Sequence, residues 1–357
     1  MSVHRPRRRR RPARRPVVGA VRAFVVTGPG ECSVQDVEPP AAGPGEVVVG
    51  VARVGVCGTD VEFFTGEMAY LHDGHAAYPM RLGHEWCGVV RAVGGGVDDS
   101  WLGRRVAGDT MLGCQRCVRC RSGRQHLCED RFEVGVRGGK AGALAEQLAV
   151  PASSLVALPD VVDDAAGAMV EPGGNALRAV WGADLHAGDR VLVLGPGTIG
   201  TLAAQFARAA GAEVHVLGER EPSLSFARSL MLDGVWTAAD LPPLAFDAVI
   251  DASTAASLPA LALELVEPGK RVVYIGISGT PSTIDTRAML LKDVTAVGVL
   301  SGSPALAGAV QAYAQGSVDP RPLIAATVGL AQVGDVLAGR RPAGAGAGPK
   351  IHVDPLQ

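Results

Sequence analysis

At 357 residues the chain is too long for a single hydrophobic core of ordinary size, so two lobes with a cleft between them are expected. A hydrophobic content of 47%, with 47 Gly, 24 Pro and no unbroken apolar run of about 18 residues, excludes a membrane span and predicts a turn-rich globular chain in the cytoplasm. The formal net charge of −2 conceals eight Arg in the first sixteen residues, without which the rest would carry −10, so a strongly basic body is excluded.

The first predicted element is a tail, residues 1–20. Arg5, Arg7 to Arg11, Arg14 and Arg15 stand among prolines without apolar periodicity, and the segment is expected to be disordered. Such a run also suits a nucleic-acid-binding arm, whose signature would be a steeply salt-dependent affinity. A twin-arginine export signal is not expected, because no long apolar stretch follows Arg14 and Arg15. Residues 21–27 and 46–54 are β-branched runs bounded by Gly and Pro and read as strands. Further strands are expected at 85–93, 104–107 and 145–150, with no long helix before Asp163. The stretch 163–183 is Ala-rich and helix-compatible, and Pro172 with the Gly pair after it is expected to split it in two. Strands at 190–194, 213–217, 247–250 and 271–275 then alternate with helices at 199–210, 223–232 and 258–265. That alternation predicts a parallel, doubly wound sheet. A strand at 294–300, a helix near 304–314 and a strand at 350–353 close the chain, the last after a Gly-rich surface loop.

Three groups of residues carry chemistry. Cys114, Cys117, Cys120 and Cys128 follow the spacing CxxCxxCx7C, which brings four thiolates within reach of one ion. Four ligands leave no open position, so this is structural rather than catalytic zinc; an iron–sulfur cluster is the competitor and would be coloured. The remaining Cys32, Cys57 and Cys87 do not suggest a disulfide framework. In the second group, an apolar strand ends at Leu194 and Gly195, Gly197 and Gly200 follow as GPGTIG at the mouth of a helix. Strand before and helix after is the context in which such glycines admit a dinucleotide pyrophosphate to the helix N-terminus. Glu219 stands at the distance where an acid receives the ribose of NAD, but if Gly218 ends the strand, Arg220 faces a 2′-phosphate instead; NAD and NADP both stay open. The third group is Cys57 in CGTD, His84 in GHE and Glu171 in VEP: a thiolate, an imidazole and a carboxylate from three segments. Three ligands with one open position are what catalytic zinc requires, although each residue alone is ordinary.

GVCGTD, LGHEWCGVV, the four-Cys lobe, VEP and GPGTIG occur in the order found in zinc-dependent medium-chain alcohol dehydrogenases, and the chain resembles that family from Val21 to Pro355. Its Glu171 makes it most similar to the polyol and sugar branch of sorbitol, threonine and glucose dehydrogenases. The resemblance implies an α/β protein: a β-rich GroES-like catalytic domain over 21–171 and 319–357, with a Rossmann domain over 172–318. It implies that Cys57, His84 and Glu171 hold catalytic zinc, that Glu85 is the acid behind the metal, that Asp60 orients His84, and that Thr59 receives the substrate proton. It implies cofactor contacts at Gly195, Gly197, Thr198, Ile199, Gly200, Glu219, Arg220, Ser253 and Gly276. Glu62 departs from the His by which well-known members pass the proton to solvent. The implied activity is hydride transfer between a secondary alcohol (a polyol, sugar or cyclitol) or its ketone and NAD or NADP, in a homo-oligomer, dimer or tetramer, without nucleic acid or membrane. Two alternatives are a zinc-independent enone or quinone reductase of the same fold and a nucleic-acid-binding zinc protein. The loop 66–79, with His72 and His75, is expected to line the substrate pocket.

Overall fold

The computed structural model describes residues 19–357; the tail at 1–18 lies outside the described residues. Two larger sheets organise the rest. The first has seven strands, in the order Ile324–Gly329, Lys350–Asp354, Glu46–Gly55, Glu85–Val93, Arg105–Gly108, Leu155–Ala157, with Gln147–Pro151 also paired to Glu46–Gly55. Only its first pair is parallel. Glu46–Gly55 runs through the middle, and Val47, Val48, Val49, Val51 and Val54 are all buried rather than alternating. Both of its faces are covered, as a central strand's near-continuous apolar run requires. Phe24, Phe63, Trp86, Leu144 and Leu148 fill the core around it.

The second sheet is six-stranded and parallel, in the order Gly234–Trp236, Glu213–Leu217, Arg190–Leu194, Phe246–Asp251, Val266–Tyr274, Thr295–Gly298. Val191 and Val193 belong to one apolar cluster, while Leu192 and Leu194 belong to the other. Period-2 side chains buried on both faces, at about 1.5–3 kcal/mol for each large aliphatic group, hold this sheet between its helices. The α/β architecture is thus a mixed β lobe beside a doubly wound lobe, as expected.

Several local expectations need correction. The break in 163–183 falls at Ala168 and Met169, between helices Asp164–Gly167 and Val170–Ala183, and not at Pro172. Pro172 sits in the first turn of the second helix, where a backbone N–H would have no intrahelical acceptor anyway. Gly173 is required there by packing, since a Cβ would lie 2.0 Å from the Tyr313 hydroxyl. Helices Gly58–Thr65 and Ala69–His72 were not expected, nor were strands Glu31–Val37 and Ile324–Gly329. Glu31–Val37 is the outer, largely exposed strand of a two-stranded hairpin with the buried Val21–Gly28, so its sequence has little apolar pattern to read. No helix among the described residues is long and apolar enough to cross a membrane.

Helix Val170–Ala183 joins the two lobes. It packs on helix Thr198–Ala209 and on strand Glu85–Val93. Nearby, the Tyr313 hydroxyl donates to the Met169 carbonyl at 2.9 Å, and Ser303 Oγ donates to Asp109 Oδ1 at 2.8 Å. Glu171 lies in the first turn of this bridging helix.

Candidate active site

Cys57 occupies the N-cap of helix Gly58–Thr65, and Asp60 one turn on folds back to it. Asp60 Oδ2 accepts from the Cys57 backbone N–H at 2.9 Å, and Oδ1 accepts from the Gly83 N–H at 3.1 Å. The carboxylate therefore ties the Cys57 turn to the segment that carries His84. The Nδ1 of His84 lies 3.7 Å from Asp60 Oδ1 and has no closer polar partner. This leaves Nε2 for the open side of the ring. Thr59 stands in the same turn, half-buried.

Cys57, His84 and Glu85 offer ligand atoms that all lie within 4.8 Å of one another. Glu171 lies outside that group but close enough to influence it, with its Oε1 accepting from Asn175 Nδ2 at 2.9 Å. Burial would disfavour a charged imidazole, yet Asp60, Cys57 and Glu171 raise the His84 pKa well above its usual value. Burial, reinforced by Glu85 and opposed by His84, pushes Glu171 up to about 7. The pocket gathers carboxylates and a thiol around a single imidazole, so its electrostatics favour a cation. This donor set fits zinc.

Glu85 also has a partner that sequence reasoning missed. Lys350 Nζ, 3% exposed, donates to both Glu85 oxygens at 2.8 and 2.7 Å and to the Val56 carbonyl at 3.0 Å. Burial alone would lower its pKa, but Glu85 and Cys57 hold it above the usual value. The carboxylate has room because residue 55 is glycine, where a Cβ would fall 2.1 Å from Glu85 Oε2. A lone Lys in the last strand carries no motif. Asn175 was the more legible omission, since it lies four positions on from Glu171, on the same helix face.

The four-Cys lobe is compact. All four thiols lie within 4.8 Å of one another, with Cys114 Sγ to Cys120 Sγ at 4.0 Å and Cys117 Sγ to Cys128 Sγ at 3.9 Å. A tetrahedron with Zn–S bonds of ~2.3 Å has an edge of about 3.8 Å, whereas a disulfide needs about 2.05 Å. Backbone N–H groups of Arg116 and Cys117 hold the Cys114 thiol down at about 6, favouring the thiolate a metal needs.

In the parallel sheet, Gly195 has φ +93, and the third glycine lies so close that a Cβ on Gly200 would fall 1.9 Å from the Gly195 carbonyl oxygen. Gly197 caps helix Thr198–Ala209 and faces open space, with Thr198 and Ile199 half-buried in the first turn. Ser253 is anchored by Asp251 Oδ1, which accepts from its N–H at 3.0 Å and its hydroxyl at 2.7 Å, and Gly276 lies against the Ser253 backbone. These residues converge at the C-terminal ends of adjacent strands, where open parallel sheets bind ligands. The Gly218 N–H still pairs with Trp236 O, so the strand's pairing extends to Gly218 and both Glu219 and Arg220 project beyond it, exposed. A Gly200→Val variant is expected to weaken NAD(P) binding by about a hundredfold or more and to lose about 1–3 kcal/mol of stability from overpacking; cofactor fluorescence titration and thermal melts check it.

His72 Nε2 is bonded to the Gly66 carbonyl at 3.0 Å, and His75 packs edge-on against Tyr70. The cavity beside Cys57, about 260 Å³, is lined by Val61, Ile351, Arg340 and Arg341 and by no residue of 66–79.

Residues 43–160 match the family described as "Alcohol dehydrogenase GroES-like domain", and residues 198–315 match "Zinc-binding dehydrogenase". The chain is 33% identical over 278 residues to L-threonine 3-dehydrogenase of Idiomarina loihiensis, covering 74% of this chain and 79% of that one. Among solved structures it resembles a Sinorhizobium meliloti protein described as a zinc-binding dehydrogenase and bound to NADP, with TM-score 0.85, 28% identity, and 94% and 100% of the two chains covered. It also resembles galactitol-1-phosphate dehydrogenase from Escherichia coli, with TM-score 0.82, 26% identity and the same coverage.

Proposed function

Since the chain belongs to the zinc-dependent medium-chain alcohol dehydrogenases, we propose that it interconverts a secondary alcohol and its ketone with NAD or NADP, the substrate being a polyol, sugar or cyclitol. The observation that carries this is the convergence of Cys57, His84 and buried carboxylates on a pocket whose electrostatics favour a cation. Residues 21–171 and 319–357 form the catalytic domain and residues 172–318 the cofactor domain. When bound, zinc would supply a Lewis acid that eases loss of the alcohol proton, and a nicotinamide cofactor would supply the hydride acceptor. Cys57, His84 and Glu171 hold the zinc, while Cys114, Cys117, Cys120 and Cys128 hold the structural one. Asp60 fixes the His84 ring from behind, as a carboxylate commonly does for a metal-bound histidine. Thr59 would receive the substrate proton, Glu85 would serve as the acid behind the metal, and the turn from Gly195 to Gly200 would receive the pyrophosphate. Glu219 and Arg220 face the adenosine ribose, and Ser253 and Gly276 border the nicotinamide.

The test is direct: two zinc ions per chain, and a rise in absorbance at ~340 nm when polyols or cyclitols are supplied with NAD or NADP. One zinc per chain, without turnover, would favour the zinc-independent reductase.

A homo-oligomer is part of the same proposal. Strand Thr295–Gly298 ends the parallel sheet with one edge unpaired among the described residues, and Leu290, Leu291 and Leu300 are exposed near it. An exposed strand edge with apolar flanks is a template for pairing with another chain. Sedimentation is expected to give a dimer or tetramer of the 36.6 kDa chain, and Leu291→Arg to shift it toward monomer.

A further inference from the structure

We propose that the cavity beside Cys57 is an anion site, and that the alcohol this chain takes carries a phosphate ester received by Arg341 and Arg340. The inference rests on the proposed alcohol chemistry and narrows its substrate to a phosphorylated polyol or sugar. The cavity, about 260 Å³, is lined by Cys57, Gly58 and Val61 from one segment and by Arg340, Arg341 and Ile351 from the end of the chain. No acidic side chain among the described residues lines it, so the guanidinium groups set its charge. A Cβ on Gly58 would meet nothing within 4 Å, which leaves the surface next to Cys57 clear.

The two arginines differ in what they have left to offer. Arg340 is paired with Asp335, whereas Arg341 has no carboxylate partner among the described residues. Arg341 Nη2 donates to the Gly346 carbonyl and to the Gly348 carbonyl, the latter at 3.0 Å, leaving Nε and Nη1 without a partner among the described residues. Carbonyls orient a guanidinium without neutralising it, so the fork is fixed while its charge stays available. The carbonyls are themselves held: the Gly346 N–H donates to Ala325 O at 2.8 Å, and a Cβ on Gly348 would fall 2.2 Å from Leu323 O. A phosphate monoester matches such a fork with two parallel hydrogen bonds. A hydroxy amino acid fits less well, because its ammonium would find no acid in the lining. The cofactor's own phosphates are assigned elsewhere, since no residue of the Gly195–Gly200 turn borders this cavity. Both arginines are exposed, so the contact is one that salt screens.

The experiment titrates the zinc-loaded full chain with inorganic phosphate by calorimetry, with and without saturating NAD or NADP, and compares turnover of a hexitol monophosphate with that of the parent hexitol. The wild-type chain is expected to bind phosphate under both conditions, less tightly as salt rises, and to prefer the ester. Arg341→Met is expected to lose about tenfold in phosphate affinity, as removal of a charge-assisted hydrogen bond would give, and the preference for the ester to fall by a similar factor. Arg341→Lys, which keeps the charge without the fork, should lie between the two. If Arg341→Met does not fold, Arg340→Met serves the same comparison. Unchanged phosphate affinity in a folded variant would overturn the proposal. So would displacement of phosphate by the cofactor, a wild-type chain without preference for the ester, or loss of folding in both Met variants. Phosphate binding that depends on Arg341, with turnover of neither alcohol, would instead refute the proposed dehydrogenase reaction and leave the anion site standing.

Discussion

Replacing Glu171 with Ala is expected to leave one zinc per chain instead of two and to cut turnover by about a thousandfold or more, since the lost Lewis acid contributes several kcal/mol at about 1.36 kcal/mol per tenfold. The reason lies in the charge of the pocket. Glu171 sits in the first turn of the bridging helix, with its Oε1 fixed by Asn175, and it is one of the anions that raise His84. Without it the remaining donors are Cys57 and His84, with Glu85 engaged by Lys350. Two ligands and a restrained carboxylate hold zinc poorly. The fold is expected to survive, because the four-Cys lobe is a separate group of donors. Metal analysis, turnover and a thermal melt on one preparation decide the matter. The companion variant Glu85→Gln matters as much, because Glu85, not Glu171, groups within 4.8 Å of Cys57 and His84. If Glu171→Ala kept both metals while Glu85→Gln lost one, the third ligand would be Glu85 and the assignment would have to change.

The second large effect is expected from Cys128→Ser. Cys128 is 1% exposed and is the innermost of the four thiols. The lobe around it has almost no apolar core: Val118 is 79% exposed and Leu127 and Phe132 also face solvent. A segment with so little to bury relies on its metal for order, and structural zinc contributes about 10–16 kcal/mol in comparable peptides. The variant should lose the lobe's zinc, become open to protease between Cys114 and Cys128, and melt at lower temperature. Zinc at Cys57 and His84 should persist. Limited proteolysis with metal counting checks this; a variant that keeps two zinc ions and stays resistant to protease would contradict it.

The parallel sheet and its turn were legible in the chain because their signals are local. The strands at 190–194 and 213–217 and the helix Leu258–Leu265 fall where the apolar runs place them, since a few neighbouring residues decide each one. The same is true of the four-Cys spacing, which is compact enough to be read without any fold. Less was legible where an element depends on what it packs against. Helix Gly58–Thr65 is held by Asp60 folding back to Cys57 and to Gly83, and the continuity through Pro172 depends on the break falling at Met169.

By itself the amino-acid order determined which donor types exist, Cys57, His84, Glu85, Glu171 and the four clustered Cys, together with the Gly-rich turn at the mouth of a helix. Only the tertiary structure decided how those donors share a pocket: that Asp60 stands behind His84, that Asn175 steadies Glu171, and that a lysine from the last strand grips Glu85. The physical reason is range. Turn chemistry and apolar periodicity act over a few residues, whereas the partner of a buried charge is whichever opposite charge the packed sheets bring within about 3 Å, however far along the chain it lies.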